Sequence, residues 1–157
     1  MSNPTDVATQ FVQFYYEKFD SDRSQLAPLY RDQSMLTFEA NPYVGTTNIV
    51  KKLQELSFTK VSHQVHTLDA QPSNSSNPSI IVLVTGALLV DGEENPLKFS
   101  QAFHLVQENG TYFVLNDVFR LVLVSSFFFA LRPSNFHPAF EDSSPLLTNL
   151  KLFFSFQ

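Results

Sequence analysis

The sequence predicts an α+β domain in which helices pack on one face of a curved antiparallel sheet. Three observations carry that prediction. Apolar residues recur at helical spacing between residues 4 and 56, interrupted by one short alternating run. Strand-like runs rich in aromatic and branched residues fill residues 59–123. Within them, Asn109-Gly110 joins two such runs, and that dipeptide accepts the positive φ angles of a tight hairpin turn. Helices segregated from a strand meander indicate α+β with the helices on one side of the sheet.

The first helix is expected from Pro4 to Lys18. Asn3 can cap the free backbone N–H groups, Pro4 presets φ, and Val7, Phe11, Phe14 and Tyr15 form an apolar stripe. Asp22 and Gln25 have capping-box spacing for a short second helix carrying Leu26, Leu29 and Tyr30. Ser34 to Glu39 alternates as a strand, and Asn41-Pro42 with Gly45 predicts a turn. Thr46 or Thr47 can cap a third helix whose Ile49, Val50, Leu53 and Leu56 share a face. Thr59 to Asp69 then reads as a strand, Gln71 to Ser79 as a polar loop, and Ile80 to Asp91 as a buried strand. Gly92 to Pro96 turns the chain into the hairpin. There, Phe99, Gln101, Phe103 and Leu105 fall on one face of the first strand, and Phe113, Leu115, Asp117, Phe119 and Leu121 on one face of the second. Neither side of this hairpin is clearly polar, so the sheet needs a cover on both faces, and a second subunit is the expected one.

A length of 157 residues fits one ordinary domain. The net charge of -5 argues against a general phosphate-binding surface, so no nucleic-acid partner is expected. The absence of cysteine removes disulfides, thiolate metal sites and a thiol nucleophile. The opening MSNPTDVATQ lacks the apolar run of a signal peptide, and Leu121 to Leu131 is about half of the ~20 residues a membrane span needs, so no membrane insertion is expected. His63 and His66 stand three apart on a predicted strand and face opposite sides, so they form no metal pair. Asp117 and Arg120 likewise fall on opposite faces, and Asp117 is assigned no catalytic role.

The segments FVQFYYEKFDSDRSQL, YRDQSMLTFE, HTLDAQP, LKFSQAFHLV and YFVLNDVFRL, in this order and spacing, closely resemble the nuclear transport factor 2 family of import carriers for the GTPase Ran in its GDP form. The resemblance runs from about Pro4 to Leu123. It divides the chain into a carrier domain, residues 1–124, and a Phe-rich extension, residues 125–157, with no counterpart. It implies a cone-like fold with three N-terminal helices on a strongly curved antiparallel sheet, a homodimer joined through the sheets, and weak contacts with Phe-Gly repeats of nucleoporins. It also implies residence in cytoplasm, nucleus and nuclear pore, no cofactor, no metal and no enzymatic activity.

The same resemblance implies a cavity for an aromatic side chain of Ran, rimmed by carboxylates for flanking basic residues. The matching acids are Glu39, in LTFE, and Asp91, at the end of GALLVD. The turn after Asp91 is one residue longer than the family pattern, so both Glu93 and Glu94 are carried as the third acid. Phe38 and Phe119 are weaker candidates to line the cavity. The rival function is a small-molecule enzyme of dehydratase or isomerase type, because the same cone fold hosts such enzymes. It would need convergent ionisable groups deep in the cavity, whereas this chain offers mostly Phe and Leu at inward positions.

Overall fold

The computed structural model describes residues 3–74 and 76–122, so the extension at 125–157 lies outside the described residues. The first helix, α1, spans Pro4–Ser21, one turn longer than expected, with Asn3 Oδ1 accepting the Thr5 N–H at 3.1 Å. Its buried face is Ala8, Val12, Tyr15, Tyr16 and Phe19. The expected stripe is therefore rotated: Phe14 is 42% exposed, because the helix turns Tyr16 and Phe19 toward the sheet instead. Arg23–Leu29 follows as a 3-10 helix that begins at Asp22, whose carboxylate accepts from the Ser24 N–H at 3.0 Å. The Gln25 side chain donates to the Asp22 carboxylate at 3.2 Å instead of accepting from the Asp22 N–H, which bonds the Lys18 carbonyl, so the reciprocal half of a capping box is missing.

Strands β1 (Met35–Phe38) and β2 (Asn41–Val44) form an edge hairpin, which corrects the expectation of a plain turn at Asn41-Pro42. Pro42 is tolerated because β2 is the outermost strand and Pro lacks only a donor. Helix α2 (Thr46–Gln54) has Gly45 at its N-cap with φ of 83° and no side-chain cap, so neither Thr46 nor Thr47 caps it. Both threonines already lie in its first turn. Ile49 and Leu53 are buried as expected.

Strands β3 (Val61–Asn74), β4 (Ser79–Val90), β5 (Leu97–Glu108) and β6 (Thr111–Leu121) complete a six-stranded sheet of order β2-β1-β6-β5-β4-β3. Most of the expected loop at Gln71 to Ser79 is strand. Pro72 again sits on an edge strand, beside a register shift where no ladder donor is required. The sheet is mixed rather than wholly antiparallel, because β1 pairs parallel with β6 while every other pair is antiparallel. Register shifts within β3 and between β5 and β6 bend the strands locally.

The shift at His104/Leu105 also corrects the predicted faces of β6. Leu105 pairs with Val114 and His104 with Asn116, so Leu115 has no partner and Val114 joins the core face that holds Asp117 and Phe119. Against this face α1 packs Phe11 and Tyr15 on Phe103, with ring centroids 5.0 and 4.8 Å apart. The opposite face leaves Met35, Val44, Ile81, Leu83 and Val118 each more than two-fifths exposed. No helix among the described residues is long and apolar enough to cross a membrane.

Candidate partner-binding site at one end of the sheet

Strands β1, β6 and β4 finish at the same end of the sheet, where β5 and β3 begin. Glu39 follows β1 directly and holds φ of 56°, a left-handed conformation that costs a residue with a side chain on the order of 1 kcal/mol. Its N–H donates to the Phe119 carbonyl at 3.1 Å, and its Oε1 accepts the Leu121 N–H at 2.6 Å. The other oxygen, Oε2, lies 3.8 Å from Arg120 Nη1, and the side chain is a quarter exposed.

Asp91 follows β4 in the same manner. Its φ is 47°, and its N–H donates to the Lys60 carbonyl at 2.9 Å. Asp91 Oδ1 accepts three hydrogen bonds: from Thr59 N at 3.0 Å, Thr59 Oγ1 at 2.9 Å and Lys60 N at 2.8 Å. These donors, Lys60 N–H foremost, hold the carboxyl below the ordinary aspartate range, and the residue is exposed. Glu93 and Glu94 are exposed in the turn that Gly92, at φ of 81°, allows. Among the described residues neither glutamate side chain has a hydrogen-bond or ion-pair partner. Glu39 and Asp91 thus both follow strands that finish toward the same end of the sheet, three strand positions apart, with Glu39 level with Thr85 and Asp91 six residues further along β4.

Phe38 and Phe119 pack as a parallel stack, with centroids 4.8 Å apart and planes 8° apart, and Phe119 continues onto Phe99 at 5.8 Å. Both are 4% exposed, so they form the packed layer beneath Glu39 rather than an open surface. Lys52 Nζ lies 5.7 Å from the Phe38 ring. A separate open cleft of about 450 Å³ lies between the end of α1 and the loop after α2, lined by Phe19, Asp20, Arg23, Gln54, Phe58 and Thr59 among others. Neither Phe38, Phe119 nor the two acids line it. Its Arg23 is a brace: the guanidinium donates to the carbonyls of Phe19, Leu53 and Phe58 at 3.3 to 3.4 Å. The same group lies over the Phe19 and Phe58 rings at 5.1 and 4.6 Å.

Sequence reasoning missed a buried polar network. Asp117 Oδ2 accepts from Tyr30 Oη at 2.8 Å and Tyr15 Oη at 3.2 Å, while Oδ1 accepts from Gln101 Nε2 at 2.7 Å. Tyr16 Oη closes the chain by donating to Gln101 Oε1 at 3.0 Å. Burial pushes the Asp117 carboxyl up to about 6 against the pull of its three donors, and pushes the tyrosines up as well. Arg120 takes no part in this network and faces Glu39 instead. The available signal was one polar residue in each apolar row, Gln101 and Asp117. His63 is the other buried titratable group: Nδ1 lies 2.5 Å from Asp20 Oδ1, the ring stacks on Tyr16 at 4.2 Å, and burial lowers its pKa. Among the described residues no group of three His, Cys, Asp or Glu could hold a metal.

A family model described as the nuclear transport factor 2 (NTF2) domain matches residues 7–121. The chain belongs to the nuclear transport factor 2 family. A protein named nuclear transport factor 2 from Davidiella tassiana is 58% identical over 122 residues, covering 78% of this chain and 97% of that one. Its namesake from Schizosaccharomyces pombe is 55% identical over 121 residues, covering 77% and 98%. The solved nuclear transport factor 2 of Cryptosporidium parvum superposes with a TM-score of 0.69 at 42% identity, covering 74% of this chain and 93% of that one. The expected α+β fold of the nuclear transport factor 2 type is therefore the one observed, with the mixed sheet as its refinement. These relatives are named as transport factors. The same fold recurs at 16% identity and a TM-score of 0.58 in a putative scytalone dehydratase from Novosphingobium aromaticivorans, a likeness of fold alone.

Proposed function

We propose that this chain is a nuclear import carrier that binds Ran in its GDP form and moves through nuclear pores by weak contacts with Phe-Gly repeats of nucleoporins. Residues 1–124 are the carrier unit and 125–157 an extension to it; the protein works between cytoplasm and nucleus. The observation that carries this reading is the pair Glu39 and Asp91: two carboxylates at one end of the sheet, each on a left-handed residue and each clamped by backbone N–H groups. Clamping leaves each carboxylate aimed before a partner arrives, so little ordering entropy is lost on pairing with a basic side chain. Charge at such a rim speeds encounter and selects the partner, as rapid, reversible transport requires. The aromatic layer of Phe38, Phe119 and Phe99 is buried beneath Glu39 and stiffens the rim that a partner would meet.

A homodimer joined through the outer sheet face fits the same reading, since Met35, Ile81, Leu83 and Val118 there lack a cover within the described residues. No catalysis is proposed. The ionisable cluster at Asp117 is closed to solvent, with Asp117 and Tyr15 at 0% exposure, and every member is hydrogen-bonded. Calorimetry of the full chain with Ran-GDP tests the proposal. Reversing one rim charge by Glu39→Lys should weaken binding at least about tenfold. Unchanged affinity would remove Glu39 from the site, and no binding by the parent chain would refute the carrier reading.

A further inference from the structure

Among the described residues, non-glycine φ values above zero occur at Glu39, Asp91 and Asn109 only. Asn109 has an ordinary reason, the hairpin turn. The two acids also sit in turns, Glu39-Ala40 between β1 and β2 and Asp91-Gly92 after β4, and beyond that they are built alike. Each is the first residue after a strand, donates its N–H to a carbonyl of a neighbouring segment, and places one carboxylate oxygen on backbone amides of that segment. At Asp91 a side chain completes the clamp, because Thr59 Oγ1 donates to the same Oδ1 at 2.9 Å.

We infer that Thr59 is a positioning residue for partner binding: it locks Asp91 Oδ1 so that Oδ2 alone faces outward, making Asp91 the acid read at this corner, with Glu93 and Glu94 contributing only diffuse charge. Resting on the carrier reading, this inference names how one of its acids is aimed. The physical contrast lies in freedom. A carboxylate held by three donors loses little rotamer freedom on meeting a cation, whereas Glu93 and Glu94, exposed and without partners among the described residues, must each be ordered at the moment of contact. Thr59 itself is exposed, so truncating its hydroxyl opens no core cavity.

The experiment measures full-chain binding to Ran-GDP at low and high salt for Thr59→Val, Thr59→Ser, Asp91→Asn and the double variant Glu93→Gln/Glu94→Gln. Melting temperatures and the Asp91 carboxyl titration by NMR are followed alongside. Thr59→Val should weaken binding about fivefold, Thr59→Ser should restore it to within about twofold, and Asp91→Asn should cost tenfold or more. The double glutamine variant should flatten the salt dependence and change high-salt affinity by less than about twofold. Thr59→Val should also raise the Asp91 titration midpoint with no loss of melting temperature, a readout independent of Ran. Parent-like binding by Thr59→Val beside a crippled Asp91→Asn would overturn the inference and leave the carrier reading standing. An unmoved Asp91 titration in Thr59→Val would overturn it in the absence of any partner. Failure of the parent chain to bind Ran-GDP would instead refute the carrier reading and, with it, the role assigned to Thr59.

Discussion

Tyr30 at the end of the 3-10 helix donates to Asp117 in the middle of the sheet at 2.8 Å, and no water reaches the bond, since the two residues are 2% and 0% exposed. The bond ties the second N-terminal helix to β6, two residues from the aromatic stack that floors the proposed site. Burying a carboxylate is costly even when three donors surround it. Asp117 shows that cost as a carboxyl raised to about 6 from 3.8.

The sign of the resulting pH dependence follows directly. Between about pH 4 and 6 the folded chain holds a proton on Asp117 that the unfolded chain has already lost. Stability from this group is therefore full below about pH 4 and falls as pH rises to 6, by roughly 3 kcal/mol at most. Asp117→Asn removes the titration, and a flip of the Gln101 amide can keep every hydrogen bond made. Urea unfolding should show this variant losing the decline between pH 4 and 6, while Asp117→Leu, which takes the acceptor from Gln101 Nε2 and from the Tyr15–Tyr30 hydroxyl pair, should also lack the decline and show its largest deficit, about 3 kcal/mol, below pH 4. An identical pH profile for Asp117→Asn and the parent would contradict the assignment.

His63 pulls the other way. Burial lowers its pKa below 6.5 although Asp20 opposes the shift, so the ring is neutral at pH 7 and donates from Nδ1 to Asp20. Since the unfolded chain takes up this proton first, stability from His63 is present above about pH 6.5 and is lost as pH falls from there through the lower folded midpoint. Removing the carboxylate by Asp20→Asn should depress the His63 midpoint further, as read by NMR titration of the ring protons. A midpoint that rises in Asp20→Asn would reverse the account.

The hairpin at Asn109-Gly110 and the helix start at Asn3-Pro4 were legible because each needs a residue type that few other structures require. Glu39 and Asp91 were legible as acids at strand ends, though only through the family resemblance; the left-handed backbone of Glu39 leaves no mark in a single sequence, whereas Asp91-Gly92 is a dipeptide that favours positive φ. Asn41–Val44 and Gln71–Asn74 were misread because Pro, Asn and Ser are turn formers by composition and edge strands by context. The parallel pairing of β1 with β6 joins residues about 80 apart and no local pattern encodes it. The unpaired Leu115 shifted the predicted face of Val114 because a bulge breaks the two-residue period without a glycine to announce it. The tyrosine network was half visible: Gln101 and Asp117 stood out on apolar rows, but their tyrosine partners lie 85 to 102 positions away.

Gly86 marks a point where two backbones and a ring converge. A Cβ placed there would stand 2.2 Å from the Gln64 carbonyl oxygen and 2.8 Å from Phe99 Cε1. The carbonyl belongs to the β3–β4 ladder and cannot swing aside without breaking it. Gly86→Ala should therefore cost about 2 to 3 kcal/mol in chemical denaturation, despite the small gain expected from stiffening the unfolded chain. Parent-like stability would mean that β3 can move away from β4 at this rung.

The proposed homodimer would bury the outer face of the sheet. Leu83 pairs with Ala102, Ala102 with Val118 and Val118 with Thr37, so one rung carries a mostly apolar line across four strands. Leu83 and Val118 are 42% and 43% exposed, and Ile81 beside them is 51% exposed. Side chains so exposed contribute little to folding of a single chain, and their burial against a second copy would supply roughly 1 kcal/mol or more each. Leu83→Arg should then split the assembly into single chains in sedimentation velocity, and the melting temperature should lose the concentration dependence that a folded dimer imposes. Because the substitution faces outward, each separated chain should keep its helical circular dichroism. If Leu83→Arg sediments as the parent does, the apolar rung is not the surface that joins two copies, and the homodimer must be sought on another face.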